Sequence, residues 1–417
     1  MLLGAIMIHK IRFFLLATVF FCLTTFFVYS QNTYTFRSDH YTVVSGISEE
    51  FSQETAQFME GFFELYTAYL HFDPKSLSSS MKVRIFSDKT AYDAYLQSTI
   101  RETRGSFVFL QYPDPKKSEL IGYFTEPLDS FRKKIIHHGF VQYIKGFIPN
   151  PPLWLQKGFA VYFENCSYDA GTGKVTFHPN HSWVETLRSK IAQDASLSNP
   201  ELFIPVQNLL YIDQDAAVRN LESFYAQSWG LIDFLIHSPK KNYNRLLWDA
   251  IAALESSATM NTNEKNVVSR SFEWAAKDQL VADFVDYIAN MPTFPDLVQK
   301  GIDAYAMGEL DSAESAFQQA VSLRQDHYVP YYYLGLIYYN RGEYSMAEFY
   351  YLSAVKNDGH ADLVYYALGV NAYADNRMDD SSFYLGQSVE TGGTYSSYAT
   401  ELIGEIKANE EAEPESM

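Results

Sequence analysis

The last third of the chain repeats with a period of 34 residues, which restricts it to a stack of similar units. Gly301, Gly335 and Gly369 are spaced at that interval. Around each glycine the same pattern recurs, with two further small residues and a large residue between them. Two antiparallel helices cross closely only where side chains are small, and large side chains fill the remaining space. The pattern therefore predicts three helix pairs, each burying its apolar face against the next.

This pattern resembles the tetratricopeptide repeat (TPR), whose 34-residue unit has small residues at positions 8, 20 and 27. The first two units match more closely than the third, which has Ser381 and Ser388 at the last two of these positions. The resemblance implies an all-α TPR solenoid over residues 293–408, with residues 396–407 as the helix that caps it. The acidic residues 409–417 are predicted to be a disordered tail.

In tetratricopeptide arrays, positions 5 and 12 of the first helix face the concave groove. Here five of the six side chains at these positions are tyrosines, and the sixth is Val298. Tyrosine combines rigid apolar area with a hydroxyl group, which suits a protein interface. We therefore expect the groove to bind a protein or peptide; the alternative is that the rings pack against the next repeat. The five tyrosines are Tyr305, Tyr332, Tyr339, Tyr366 and Tyr373.

The basic clamp that some arrays use to hold a peptide carboxylate is not evident in this sequence. Asn340 is the only groove residue suited to that role. A carboxylate-terminated chaperone tail is therefore not predicted as the partner.

The N-terminal segment has the composition of a signal peptide. Lys10 and Arg12 precede an apolar run from Phe13 to Phe27, and cleavage before Gln31 is predicted. The chain is then exported, to the periplasm of a bacterial envelope. The alternative is an uncleaved anchor in the inner membrane, because the apolar run is close to the length that spans a bilayer.

Only two cysteines are present, and Cys22 lies in the N-terminal apolar segment. Removal of that segment leaves Cys166 alone, so no internal disulfide is predicted, and we expect this thiol to be a small buried side chain. The formal net charge is −18, with no run of Lys or Arg. This composition excludes duplex nucleic acid and an acidic membrane surface as partners, since both require a basic footprint.

Residues 31–292 are predicted to form an α+β domain with a small sheet followed by helices. Alternating or β-rich segments occur at 34–45 and Met81–Phe86, and helical spacing occurs at 48–71 and Lys89–Ser98. The segments 106–112 and 119–124 flank a turn that contains two prolines, which indicates a hairpin. The length of 417 residues also favours more than one domain.

Residues 135–164 read IIHHGFVQYIKGFIPNPPLWLQKGFAVYFE. This stretch resembles the gluzincin branch of the zincin peptidases, which has a helix with H-E-x-x-H and a second helix with P-x-W-L-x-E-G-x-A-x-Y-x-E. The resemblance covers about residues 34–290 and implies a gluzincin-like domain at 31–292. The residues that match the second helix are Pro152, Trp154, Leu155, Gly158, Ala160, Tyr162 and Glu164.

The resemblance also implies where zinc ligands should stand, and most of them are missing. In the register that keeps the apolar pattern, His138 takes the first ligand position. Gly139 replaces the general base, and Gln142 replaces the second histidine. Lys157 replaces the glutamate ligand on the next helix. Zinc-dependent hydrolysis needs these ligands and the base, so neither a metal nor another cofactor is predicted.

Shifting the register by one residue does not restore the site. His137 then stands first, but His138 takes the place of the base and Val141 that of the second histidine. An ammonium at position 157 has no lone pair to offer and repels a dication. We expect Lys157 to fill the vacant metal position and to pair with a nearby carboxylate, with Glu164 as the candidate.

The sequence thus favours an exported, non-catalytic binding or scaffold protein, a pseudo-metallopeptidase that contacts other proteins through its repeats. One alternative is a metallopeptidase or other hydrolase with unorthodox residues in the same cleft. A purely structural spacer is another. The hairpin around residues 106–124 is a further place where a peptide could bind, as an added strand.

Overall fold

The computed structural model describes residues 33–194, 196–357 and 359–412. The predicted signal segment 1–30, with Cys22, and residues 413–417 of the acidic tail lie outside the described residues. The chain divides into two compact units, one comprising residues up to Glu60 with Ser79–Glu126, the other Gly61–Ser78 with the residues from Pro127 onward. The domain boundary predicted between residues 292 and 293 falls within the second unit and stays a prediction.

The first unit is built on a five-stranded mixed sheet. The strand order is β1-β2-β3-β5-β4; the three central strands are parallel, and each edge strand is antiparallel to its neighbour. Residues Tyr41, Val43, Val83 and Ile85 of the central strands are buried, as alternation predicts. The strands are β1 (Tyr34–Arg37), β2 (Tyr41–Ser45), β3 (Met81–Phe86), β4 (Val108–Leu110) and β5 (Glu119–Tyr123).

Two helices accompany this sheet. Helix α1 (Glu49–Leu70) continues from the first unit into the second, and α2 (Lys89–Ile100) lies wholly within the first. Asp88 caps α2 by accepting a hydrogen bond from the backbone N–H of Ala91, which satisfies one of the free donors at the helix start. The coarse prediction of an α+β architecture, with a small sheet followed by many helices, is confirmed.

The first part of the second unit is almost entirely helical. Helix α3 ends at Phe147 and α4 begins at Leu153, on either side of the proline-rich segment that was predicted to separate two helices. A short hairpin of β6 (Ser167–Asp169) and β7 (Lys174–Thr176) follows. The helices are α3 (Leu128–Phe147), α4 (Leu153–Tyr162), α5 (Val184–Gln193), α6 (Val206–Leu209), α7 (Gln214–Arg219), α8 (Leu221–His237), α9 (Lys241–Ala252), α10 (Met260–Arg270) and α11 (Lys277–Asn290).

Gly158 has a packing role that its place in the motif does not reveal. A Cβ atom added to it would lie 2.4 Å from the backbone oxygen of Ser228. Only glycine therefore lets α4 approach α8 this closely.

The remainder of the second unit consists of three helix pairs and a final helix. In each pair a glycine of the first helix faces a large side chain of the second: an added Cβ would lie 2.7 Å from Phe317 at Gly301, 2.4 Å from Tyr351 at Gly335 and 2.5 Å from Leu385 at Gly369. The helices are α12 (Phe294–Ala306), α13 (Leu310–Leu323), α14 (Tyr328–Asn340), α15 (Tyr344–Lys356), α16 (Ala361–Ala374), α17 (Met378–Thr391) and α18 (Ser396–Ala412).

The turn inside each pair also recurs every 34 residues. Gly308, Gly342 and Asn376 have φ angles of 77°, 74° and 58°, which is the left-handed conformation that glycine and asparagine tolerate best. The period read from the sequence is therefore a period of the backbone as well. Across the described ranges, no helix combines the length and apolar character needed to cross a membrane.

Candidate functional site

Helices α3 and α4 carry the four positions at which the gluzincin motif would place its ligands and base. His138, Gly139 and Gln142 lie on α3, and Lys157 lies on α4. The two helices pack through aromatic side chains such as Phe140 and Phe159, whose ring centroids are 5.6 Å apart. Gln142 is buried, whereas His138 and Lys157 are half-buried.

Glu164, which follows the end of α4, is paired with His137. The Nδ1 atom of His137 lies 2.5 Å from the Oε1 atom of Glu164. The expectation that Glu164 would pair with Lys157 is therefore wrong. The reason is geometric: the turn after α4 brings the carboxylate to the imidazole of α3, which is one residue before the position assigned to the first ligand.

Burial shifts the pKa values of this pair in opposite directions. Burial, followed by the positive charge of Lys157, lowers the pKa of His137 to about 3. Burial raises the pKa of Glu164 to about 7, against the lowering effect of the charges of Lys133 and Lys157. A single proton therefore lies between the imidazole and the carboxylate near neutral pH, and the ring does not carry a positive charge.

Lys157 lies over an aromatic wall. Its Nζ atom is 5.9 Å from the ring centroid of Tyr225, a contact of the cation–π type. Tyr225 in turn stacks on Trp183, with ring centroids 6.4 Å apart. Burial, together with the charge of Lys145, lowers the pKa of Lys157 to about 8, although Glu164 acts in the opposite direction. Within the described ranges Lys157 forms no ion pair.

The donor set at these positions does not suit a zinc ion. Only His138 offers a nitrogen of the kind that zinc prefers. The other three positions are Gly139, Gln142 and Lys157. In the part of the chain that the structure describes, no three His, Cys, Asp or Glu side chains gather into a group that could hold a metal ion. A nearby ammonium also opposes any bound cation.

The five tyrosines predicted for the concave groove are all half-buried. The hydroxyl of Tyr305 accepts a hydrogen bond of 2.9 Å from the Nδ2 atom of Asn340 in the next pair, and its ring lies against Tyr333. Tyr366 contacts Tyr395 and Tyr398, with centroid distances of 5.5 and 6.3 Å. Tyr305 and Tyr366 therefore pack against the element that follows their own pair, as the alternative interpretation expects, while all five rings keep part of their surface accessible.

Tyr332 lies beside other phenols, with its ring centroid 5.7 Å from that of Tyr333. Burial raises its pKa, and the phenols of Tyr395, Tyr333 and Tyr305 raise it further. The sequence did not predict a role for Tyr395 and Tyr398, because they belong to the turn and first residues of the capping helix. Tyr398 is 54% exposed. We call these two residues and the five predicted tyrosines the tyrosine surface.

Comparison with known proteins identifies no relative of this chain. The chain matches no protein-family model, no curated protein and no solved structure.

Proposed function

We propose that the protein is an exported binding protein in which a gluzincin-like domain has lost its zinc chemistry and a tetratricopeptide-type array recruits a protein partner. The tyrosine surface carries the proposal. It offers seven phenol rings, five on the helix pairs and two on the turn and helix that follow them, and each retains accessible area beside its packing contacts. Aromatic side chains of this kind dominate the energetics of protein interfaces.

Chemistry at the motif positions supports a non-catalytic function. A zinc peptidase needs two imidazoles and a carboxylate on the ion, and a base to take the proton of its water. Here Gly139 offers no base and Lys157 offers a cation in place of a carboxylate. Neither difference can be overcome by rotation of a side chain, so peptide hydrolysis through zinc is not expected.

Repeat geometry supports the array as the binding element. The glycine-to-large-residue contacts and the left-handed turns both recur with the 34-residue period. Arrays of this type expose a continuous concave face formed by the first helix of each pair. An extended peptide or a helix that lies along this face would contact several tyrosines at once.

The experiment is affinity capture from a bacterial envelope extract with the purified chain as bait. We expect one discrete partner that is retained by the unaltered chain and lost when Tyr332, Tyr339 and Tyr373 are replaced by alanine. The matched control replaces Tyr338 and Tyr384 by phenylalanine, because their hydroxyls donate to Glu314 and Glu348 on other helices. Equal capture by both variants would contradict the proposal and favour a structural spacer.

A second candidate, a hydrolase that reuses the cleft, is favoured by one observation. Glu164, His137 and Lys157 all have strongly shifted pKa values and lie in one half-buried site, as groups with catalytic roles often do. This candidate predicts hydrolysis of a peptide or ester that survives a chelator and is lost in Glu164→Gln. The binding proposal predicts no such activity in either protein.

A further inference from the structure

The second unit contains a cavity that shares no lining residue with the His137–Glu164 site. Its volume is about 450 Å³, within the range of small-molecule sites. It lies where the end of α8 and the start of α9 meet the end of α11. Its apolar wall includes Phe234, Pro239 and Met291, and its polar wall includes Asp233, Asp286 and Tyr287.

Asp233 is the feature of this cavity that most needs a partner. Only 2% of the residue is exposed, and its Oδ2 atom accepts a hydrogen bond of 2.6 Å from the Tyr287 hydroxyl. Its Oδ1 atom accepts no hydrogen bond from any described residue. The Nε2 atom of His237 is 3.9 Å from Oδ1, beyond hydrogen-bond distance, and contacts the Tyr162 hydroxyl at 2.9 Å instead. An ionised carboxylate oxygen that lines a cavity can accept a hydrogen bond from a ligand that enters it.

The positive groups around the cavity do not neutralise this carboxylate. The Nζ atom of Lys240 lies 2.5 Å from Asp283, so its charge is already paired. His181 contacts the backbone oxygen of Pro292 through Nδ1 at 3.0 Å, and burial lowers its pKa, which keeps the ring neutral at pH 7. Asp286 has no Lys or Arg within ion-pair distance among the described residues. In the described part of the chain Asp286 therefore has no cationic partner, and the nearest cationic group to Oδ1 of Asp233 is the His237 imidazole at 3.9 Å.

We infer that this cavity binds a small aliphatic amine, whose ammonium group donates a hydrogen bond to the Oδ1 atom of Asp233. The methylene groups of such a ligand would lie against Phe234, Pro239 and Met291. An anion would be repelled by Asp233 and Asp286. A divalent metal fits less well, because the described residues include no group of three suitable ligands. An ammonium needs only one buried carboxylate and an apolar wall.

Burial works against the ionised form of Asp233 that this assignment requires. It raises the pKa of Asp233, because a buried carboxylate loses its hydration. An ammonium within hydrogen-bond distance replaces part of that hydration and favours the ionised form. This inference does not depend on the proposed role of the repeats.

The test is isothermal titration calorimetry of the full-length chain with n-pentylamine, and with 1-pentanol as the neutral analogue of the same length. We expect saturable binding of the amine at one site with a Kd of about 1 mM or tighter, and no saturable binding of the alcohol. Asp233→Asn, which keeps the shape but removes the charge, should weaken amine binding by at least about tenfold. Asp278→Asn removes the same charge from α11 outside the cavity and should leave binding unchanged.

Two results would overturn the inference. One is that the unaltered chain gives neither of two signals. These are saturable binding of the amine by calorimetry, and a rise in Tm with the amine that the alcohol does not produce. These measurements do not rely on any variant being folded. The other is equal binding by the unaltered chain and a folded Asp233→Asn variant, which would assign the heat to the acidic surface as a whole.

Discussion

Glu164 is held by His137, with 2.5 Å between Oε1 and Nδ1, and Lys157 is left beside Tyr225 without an ion pair in the described part of the chain. The carboxylate of Glu164 is thus hydrogen-bonded to a neutral imidazole of α3. The ammonium of Lys157 is only partly compensated, through space, by the same carboxylate. Burial of the charged Lys157 ammonium therefore costs free energy that the surrounding side chains do not fully offset.

Replacing Lys157 by methionine should stabilise the protein at neutral pH. The folded-state pKa is lowered from 10.5 to about 8. The contribution of this group to the free energy of unfolding is therefore full above pH 10.5, and it is lost as the pH falls through 8. The contribution of Lys157 to the free energy of unfolding should therefore rise between pH 8 and 10.5. Lys157→Met lacks this contribution, so its advantage over the unaltered chain, at most about 3 kcal/mol at pH 7, should shrink over that interval.

The measurement is urea denaturation at several pH values. Lys157→Arg is the matched control, because it keeps a charge that does not titrate in this range. It should show neither the gain at pH 7 nor the rise above pH 8. A Lys157→Met variant that is less stable than the unaltered chain at pH 7 would show that the ammonium is stabilising, contrary to this expectation.

Replacing Glu164 by glutamine should change the pH dependence of stability between pH 4.5 and 7. The folded-state pKa of this carboxyl is raised from 4.5 to about 7, so its contribution is full below pH 4.5 and is lost as the pH rises through 7. Glutamine does not ionise. The stability of Glu164→Gln relative to the unaltered chain should therefore increase steadily from pH 4.5 to 7. Loss of the charge-assisted hydrogen bond would shift this difference by a constant amount without changing its trend.

His137 contributes with the opposite sign, since its lowered pKa gives stability above pH 6.5 that is lost as the pH falls through about 3. Both proteins keep His137, so this contribution largely cancels in the comparison. Glu54→Gln, at an exposed position of α1, is the control and should run parallel to the unaltered chain. A parallel curve for Glu164→Gln would mean that the carboxyl is not destabilised by burial.

Local patterns predicted the elements of the fold well. The alternation of Met81–Phe86 predicts the bounds of β3, and the prolines before Leu153 predict the start of α4. Both signals are reliable because each depends only on residues a few positions apart. Less regular segments were placed less accurately. The strand expected at 106–112 is only Val108–Leu110, and α2 continues to Ile100 beyond the expected end at Ser98.

The site could be predicted only as a set of positions. The four positions singled out by the resemblance, His138, Gly139, Gln142 and Lys157, lie on two helices, α3 and α4. The partner of Glu164 is His137 and not the predicted Lys157, because the choice between them depends on the turn after Tyr162 and on no local pattern. Asp233 gave no signal in the sequence at all, since an aspartate in a helix becomes informative only when its burial and its cavity are known.

The glycines of the helix pairs should be intolerant of alanine, in contrast to a glycine on the surface of the same array. Gly335→Ala would place a Cβ atom 2.4 Å from the ring of Tyr351, so α14 and α15 must separate, and we expect a loss of about 1–3 kcal/mol in unfolding free energy. Gly386→Ala in α17 meets nothing within 4 Å and should stabilise by up to about 1 kcal/mol. Thermal denaturation compares the two. Equal effects would mean that the close helix crossing at Gly335 is absent.

Installing the gluzincin ligands and base tests whether the four motif positions converge. The triple variant Gly139→Glu, Gln142→His and Lys157→Glu combines with His138 to give two imidazoles at i and i+4, a base, and a carboxylate on α4. We expect it to bind about one zinc per chain, measured by metal analysis and by a zinc-dependent rise in Tm, because three ligands then face one point. The variant that retains Gln142 but carries the other two changes lacks one ligand and should bind zinc far more weakly. A folded triple variant that binds no zinc would show that α3 and α4 do not present these positions to a common centre, and the gluzincin-like assignment would lose its main support.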